Sequence, residues 1–247
     1  MFDFTALTTG SPGMVAIALV AFGAGIIRGF TGFGGPAFML AIMTIFFTPY
    51  SIVSKILVVD IFASVYLFVA HFKEVHWKPT VTMVIPTLLF VPLGHWLLLE
   101  LDPVLMKRAI AAIIALACIT MLIGYRYKKP MTAVWLVIVG ICAGIIFGGT
   151  YIALIAVVPI LLGPYNKHEG RTLIIAWTFF TVIAFALVSA LSGTTTVDDV
   201  LIALPGAVTY MLGAWLGSKG FRKSSEKLFR RGSIGTLLLL SLFNLMQ

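Results

Sequence analysis

The 247-residue sequence predicts an all-α, polytopic membrane protein of about ten segments, built from two inverted-topology repeats. Three observations predict it. Hydrophobic residues make up 60% of the chain and charged residues 11%, and the mean hydropathy is +1.09. A soluble domain of this length cannot hide that much apolar surface. Apolar runs of about 18 or more residues recur along the chain. Finally, landmarks of the first half return in the same order in the second.

Apolar segments read at 13–30, 36–47, 52–72, 79–99, 104–124, 131–147, 150–163, 171–191, 200–218 and 228–246. Eight are long enough to cross a bilayer. The second, ending at Thr48-Pro49, and the seventh, ending at Gly163-Pro164, are short, which fits half-spanning or broken helices. The opening "MFDFTALTTGSPG" lacks a positive n-region and a cleavage site, so the first helix is expected to be retained. Cys118 and Cys142 lie in apolar runs and read as small buried hydrophobes.

The net charge of +8 is not a nucleic-acid footprint, because Lys and Arg sit in short links rather than on a basic stripe. "KEVHWK" (73–78), "YRYKKP" (125–130), "NKHEGR" (166–171) and "SKGFRKSSEKLFRR" (218–231) are basic. "ELDP" (100–103) and "SGTTTVDD" (192–199) are acidic. With basic links in the cytoplasm, both termini lie outside. Two spans or one re-entrant hairpin give the same parity for segments 1–2 and 6–7, so charge leaves both open.

"GFGGPAFMLAIMTIFFTPY" (32–50) resembles "IIFGGTYIALIAVVPILLGPY" (145–165), each with Gly-Gly at the start and Pro-Tyr at the end. Pro86…Gly94-His95-Trp96 matches Pro205…Gly213-Ala214-Trp215, and "LMKRAI" (105–110) echoes "LFRRGS" (228–233). The expected repeats are 1–127 and 128–247, together one transmembrane domain. Five segments each is an odd number, so the second copy starts on the opposite side, and the link charges invert accordingly.

Broken helices of inverted repeats expose their ends near the midplane. Pro36 suits a first helical turn. Gly34 and Gly35 are read as preceding one helix start, and Gly148, Gly149 and Thr150 as preceding another, with Thr150 able to cap. Helix N-termini carry unpaired N–H groups and partial positive charge, an anion cradle. Arg28, one turn upstream, adds charge, and Thr31 joins it as a candidate ligand. The competing reading is that these glycines only allow close helix packing. Gly32-Phe33-Gly34 is no dinucleotide fingerprint, since no strand precedes it. "TGFG" lacks the fourfold carbonyl rings of a potassium filter.

Five apolar segments twice over, each half with a glycine-rich break and Pro…Gly in its fourth segment, resemble the TauE/SafE family of sulfite and organosulfur-anion exporters. The similarity covers nearly the whole chain. It implies a secondary transporter that moves sulfite or a short organosulfonate such as sulfoacetate outward across a bacterial cytoplasmic membrane by alternating access. Residues and spacing alone indicate only an inverted-repeat transporter with an anion-suited centre. The alternatives are an anion channel, an importer of small organic anions, or an intramembrane enzyme.

Charged residues inside membranes are costly and point to function. Lys55 and Arg171 open the third and eighth segments and are read as contributors of positive field or as snorkelling to the interface. Asp60 is a candidate proton carrier or the structural partner of Arg28 or Lys55. His95 is a second titratable candidate, or an aromatic-belt companion of Trp96. Trp177 could pack on a substrate's carbon chain or serve packing alone. "HFKEVH" (71–76) is not a zinc motif, Asp198-Asp199 read as a solvated loop, and no catalytic constellation is visible. No cofactor or metal is expected. The expected partners are a small anion, membrane lipids and protons as the coupling ion, with no nucleic acid.

Overall fold

A computed structural model describes residues 11–44, 49–100 and 131–225, plus the isolated positions Ala112, Leu228, Gly232 and Gly235. The expected segments 104–124 and 228–246 thus lie almost wholly outside the described residues. The described elements are helical: α1 (Ser11–Thr31), α2 (Gly35–Met43), α3 (Pro49–His71), α4 (Trp77–Glu100), α5 (Ala133–Thr150), α6 (Leu154–Leu162), α7 (Lys167–Leu191) and α8 (Val197–Lys223). A 3-10 turn at Phe72–Glu74 joins α3 to α4. By length and composition α3, α4, α5, α7 and α8 can each cross a membrane. Large apolar side chains such as Val69, Leu89 and Leu191 face outward, as lipid contact requires.

Local chemistry sets the helix starts. Asn166 and Glu169 form a capping box at α7, Thr196 and Asp199 form another at α8, and Thr132 caps α5. The basic residues Arg222 and Lys223 close the last turn of α8, where the helix dipole is negative.

α2 and α6 are nine residues each, about 13 Å, less than half of a ~30 Å hydrocarbon layer. Both fold back on the helix before them. A Cβ on Gly35 would press on Ala24 and Arg28, and Phe38 lies beside Gly23, so α2 retraces α1. At the far end of α6, Gly163 meets Met131, which precedes α5. α1 with α2 and α5 with α6 are thus helical hairpins. The seventh segment is corrected at its start, because the helix begins at Leu154 rather than 150.

Glycine decides how the long helices cross. Gly25 and Gly29 of α1 lie against the backbone of Tyr210 and Ala214, and Gly213 and Gly217 of α8 against Phe22 and Ile26. Gly140, Gly144 and Gly148 of α5 pack on Met83, Thr87 and Val91 of α4, and Gly94 on Ile145. A methyl at any of these would overlap a backbone atom, which is the small-residue logic of membrane helix contacts. In both pairs the helices run parallel, and these are the most extensive contacts of the bundle. α3 and α7 run antiparallel through its centre, as Phe68 stacking on Phe179 and His71 meeting Arg171 require.

One end of the bundle collects the turn at 72–76, the start of α7 and the end of α8, where Lys167 donates to the Ser224 carbonyl. This end is basic. The other collects the start of α3, the end of α4 and the start of α8, with Glu100, Asp198 and Asp199. Helix α1 starts from the acidic end and α5 from the basic end.

Candidate functional site

The break after α1 is built from four residues. The Thr31 hydroxyl donates to the Ile27 carbonyl at 2.8 Å and accepts from the Phe33 amide at 3.1 Å. Gly32 (φ 84°) and Gly34 (φ 83°) then take left-handed conformations that other residues rarely adopt. Gly34 occupies the N-cap of α2, and Gly35 and Pro36 form its first turn. The break after α5 repeats the device 119 residues on: Thr150 donates to Ile146 at 2.7 Å and accepts from Ile152 at 3.2 Å. Tyr151 (φ 58°) takes the left-handed position, and Ala153 occupies the N-cap of α6. Pro86 and Pro205, Gly94 and Gly213, and Trp96 and Trp215 share that separation of 119. Gly34-Gly35 and Gly148-Gly149, which share letters, stand 114 residues apart, five short of that separation.

Gly148, Gly149 and Thr150 do not precede a helix start. They form the last turn of α5, where their amides belong to the helix and Gly148 packs against Val91 and Gly94. Glycine serves turns and helix contacts equally well, and here the second use prevails. The start of α6 is still brought to the place foreseen for it, because Ala153 and Leu154 line the same cavity as Gly34, Pro36 and Ala37. The beginnings of two half-helices, one from each half of the chain, thus line one space.

Arg28 projects into that space, 2% exposed. Its Nε donates to Asp60 Oδ1 at 3.0 Å, Nη2 to Ser64 Oγ at 2.7 Å, and Nη1 to Thr178 Oγ1 at 3.3 Å and to the Gly32 carbonyl. Asp60, 1% exposed, also accepts from Tyr210 Oη at 2.8 Å and from Ser64 at 3.3 Å. Asp60, Thr178 and Tyr210 stand near the midpoints of α3, α7 and α8, so the cluster sits midway along the long helices. Of the two partners foreseen for Asp60, the structure selects Arg28. Phe33, Phe147, Tyr151, Thr178 and Val182 complete the wall of a cavity of about 20 Å³, room for one water-sized group.

The remaining candidates fall elsewhere. Lys55 pairs with Asp199 at 2.5 Å and lines a separate apolar cavity with Met39, Ile52 and Ala203. Asp199 is therefore no free loop carboxylate, since it both caps α8 and holds Lys55. Arg171 does not snorkel: it is 1% exposed and reaches Gly29, His71 and Ser218. His95 is no belt residue either. It is 3% exposed, faces Phe185, and brings Nε2 to Ser192 Oγ at 2.9 Å, whereas neighbouring Trp96 faces outward. Trp177 backs the wall rather than forming it, meeting Phe147 edge-on and donating to Thr87 Oγ1 at 3.0 Å. Tyr151, Ser64, Thr178 and Tyr210 escape sequence reasoning because only the crossing of four helices brings them to Arg28.

Apolar crossing helices around a buried ion pair and two half-helices define a multi-pass membrane protein. A family model, Sulfite exporter TauE/SafE, matches residues 17–244, and the chain belongs to that family, a family of membrane transporters. No curated protein and no solved structure matches the chain.

Proposed function

We propose that the protein is a secondary transporter that exports a small sulfur oxyanion, sulfite or a short organosulfonate, by alternating access. The observation that carries this reading is the pair of half-helix beginnings facing one cavity with Arg28 at its wall. Each helix start contributes roughly +0.5 of a charge. With the Arg28–Asp60 pair neutral overall, the cavity carries about +1, and protonation of Asp60 raises it to about +2. Asp60 is thus the residue that ties charge at the site to a proton. Gly34 lets backbone approach the anion on one side, and Ala153 and Leu154 do so on the other. Arg28 and Asp60 are buried and the cavity has room for about one water-sized group, so this form is closed around its centre and must part to load.

Repeats 1–127 and 128–247 act as inverted copies in this reading. Its support is the shared construction of the two breaks, the separation of 119 and the opposite starting ends of α1 and α5. The basic end faces the cytoplasm of a bacterial inner membrane, with both termini outside. An inside-negative potential drives an anion outward by ~2.3 kcal/mol per charge per 100 mV, so export needs no obligatory counter-ion. The test is flux from proteoliposomes loaded with sulfite, sulfoacetate, taurine or chloride, with and without a pH gradient. Saturable sulfite or sulfoacetate flux without chloride conductance is expected. Chloride conductance without saturation would replace the transporter with a channel.

A further inference from the structure

Two arginines are buried in the described bundle, and only one has a carboxylate. Arg28 has Asp60. Around Arg171 every described partner is neutral: His71 Nε2 at 2.9 Å, the Gly29 carbonyl at 2.6 Å and Ser218 Oγ at 3.2 Å, with the Phe221 ring 4.2 Å away. Among the described residues no carboxylate lies within salt-bridge distance, and the buried Arg171 Nε has no partner at all. His71 Nδ1 lies 2.9 Å from the Leu67 carbonyl and must donate there. Its Nε2 is then the lone pair that accepts from Arg171, and the ring is neutral. Among the described residues no carboxylate touches this buried charge, and Glu74 acts on it only from a distance, an expensive arrangement in an apolar bundle. Tying down the Gly29 carbonyl alone would need only a neutral amide.

We infer that Arg171, with His71 and Ser218, is a second anion station, which a small oxyanion occupies between the basic end of the bundle and the Arg28 cavity. The anion supplies a counter-charge in contact and a partner for Nε, and charge-assisted hydrogen bonds replace neutral ones. Arg171 lies in the second turn of α7, so an anion arriving from Lys167 and Arg222 meets it before Arg28. The stations are joined through the end of α1. Arg171 donates to Gly29 and Arg28 to Gly32, and the Arg171 stem passes 3.3 Å from where a Cβ of Gly32 would stand. An anion that draws Arg171 off the Gly29 carbonyl frees the last turn of α1, which carries Arg28. The identity of the anion rests on the exporter reading; the existence of the station does not.

The experiment measures how many radiolabelled anions bind the full-length, detergent-purified protein at saturation, with sulfite and sulfate as probes. Wild type binds two sulfites per chain, Arg171→Gln one, and Arg28→Gln one. Arg171→Lys keeps two, the second roughly tenfold weaker, because a point charge loses the fork geometry. The station is overturned if Arg171→Gln still binds two, or if wild type binds a single sulfite that Arg28→Gln abolishes and Arg171→Gln leaves. If wild type binds no sulfite, the exporter reading of the anion falls and sulfate decides the station. Saturable sulfate binding lost in Arg171→Gln upholds it; sulfate binding unchanged there, or absent from wild type, overturns it. Should Arg171→Gln not elute as a monodisperse protein, Arg171→Lys decides, and an unweakened second site overturns the station.

Discussion

Replacing Asp60 with Asn tests the proposed charge logic most directly. The carboxylate lies 3.0 Å from Arg28 Nε and on the wall of the cavity, so an anion bound there meets a like charge, taken as about 6 Å away, one guanidinium beyond the carboxylate. With an effective dielectric constant of ~20, that repulsion is about 2.8 kcal/mol, or roughly 100-fold in affinity. Asp60→Asn is therefore expected to bind anions up to about 100-fold tighter than wild type, although the unliganded protein loses about 3–5 kcal/mol with the broken pair. Calorimetric titration with a short alkanesulfonate, ionised throughout the assay range, measures the affinity. Proteoliposome flux drops in the variant because release slows. Binding that is equal to or weaker than wild type, in a protein still folded, would refute the reasoning.

Arg28→Ala is expected to abolish saturable anion binding at the central cavity and to destabilise the protein by about 3–5 kcal/mol, because Asp60 is left buried and unpaired. Adding Asp60→Asn restores most of the melting temperature but not the binding. Gly213→Leu forces α8 off α1, where even a methyl would overlap the Phe22 carbonyl, and no monodisperse protein is expected on size exclusion. Trp177→Phe loses the hydrogen bond to Thr87, about 1 kcal/mol in thermal stability, and leaves anion affinity within twofold because the ring lies behind Phe147.

Much of this arrangement is legible in the chain. Composition and apolar run length give the membrane class and the long helices. The shortness of the second and seventh segments gives the half-helices, and the position of Arg28 before "TGFGGP" marks the cavity. The second break was misplaced for a definable reason. Gly148-Gly149 carries the same letters as Gly34-Gly35, but its glycines are fixed by the closeness of α4, a tertiary fact. The actual turn falls on Tyr151, a residue type with little preference for positive φ, held there by the Thr150 hydroxyl. Asp60 lies 32 residues from Arg28 and five from Lys55, and spacing cannot choose between them. The fold does, by placing Lys55 a turn and more nearer the acidic end. Arg171 illustrates the same limit, since a cation near a helix start has the same pattern whether it reaches water or turns inward.

The glycine crossings also determine what can move with what. Because α1 is pressed backbone-to-backbone on α8, and α5 on α4, each half-helix hairpin is fastened to a helix contributed by the other end of the chain. A cut drawn at the middle of the sequence would sever both of these seams, the most extensive among the described helices. The packed units are accordingly mixed: α1 and α2 go with α8, and α5 and α6 go with α4, while α3 and α7 meet through stacked aromatic rings between them.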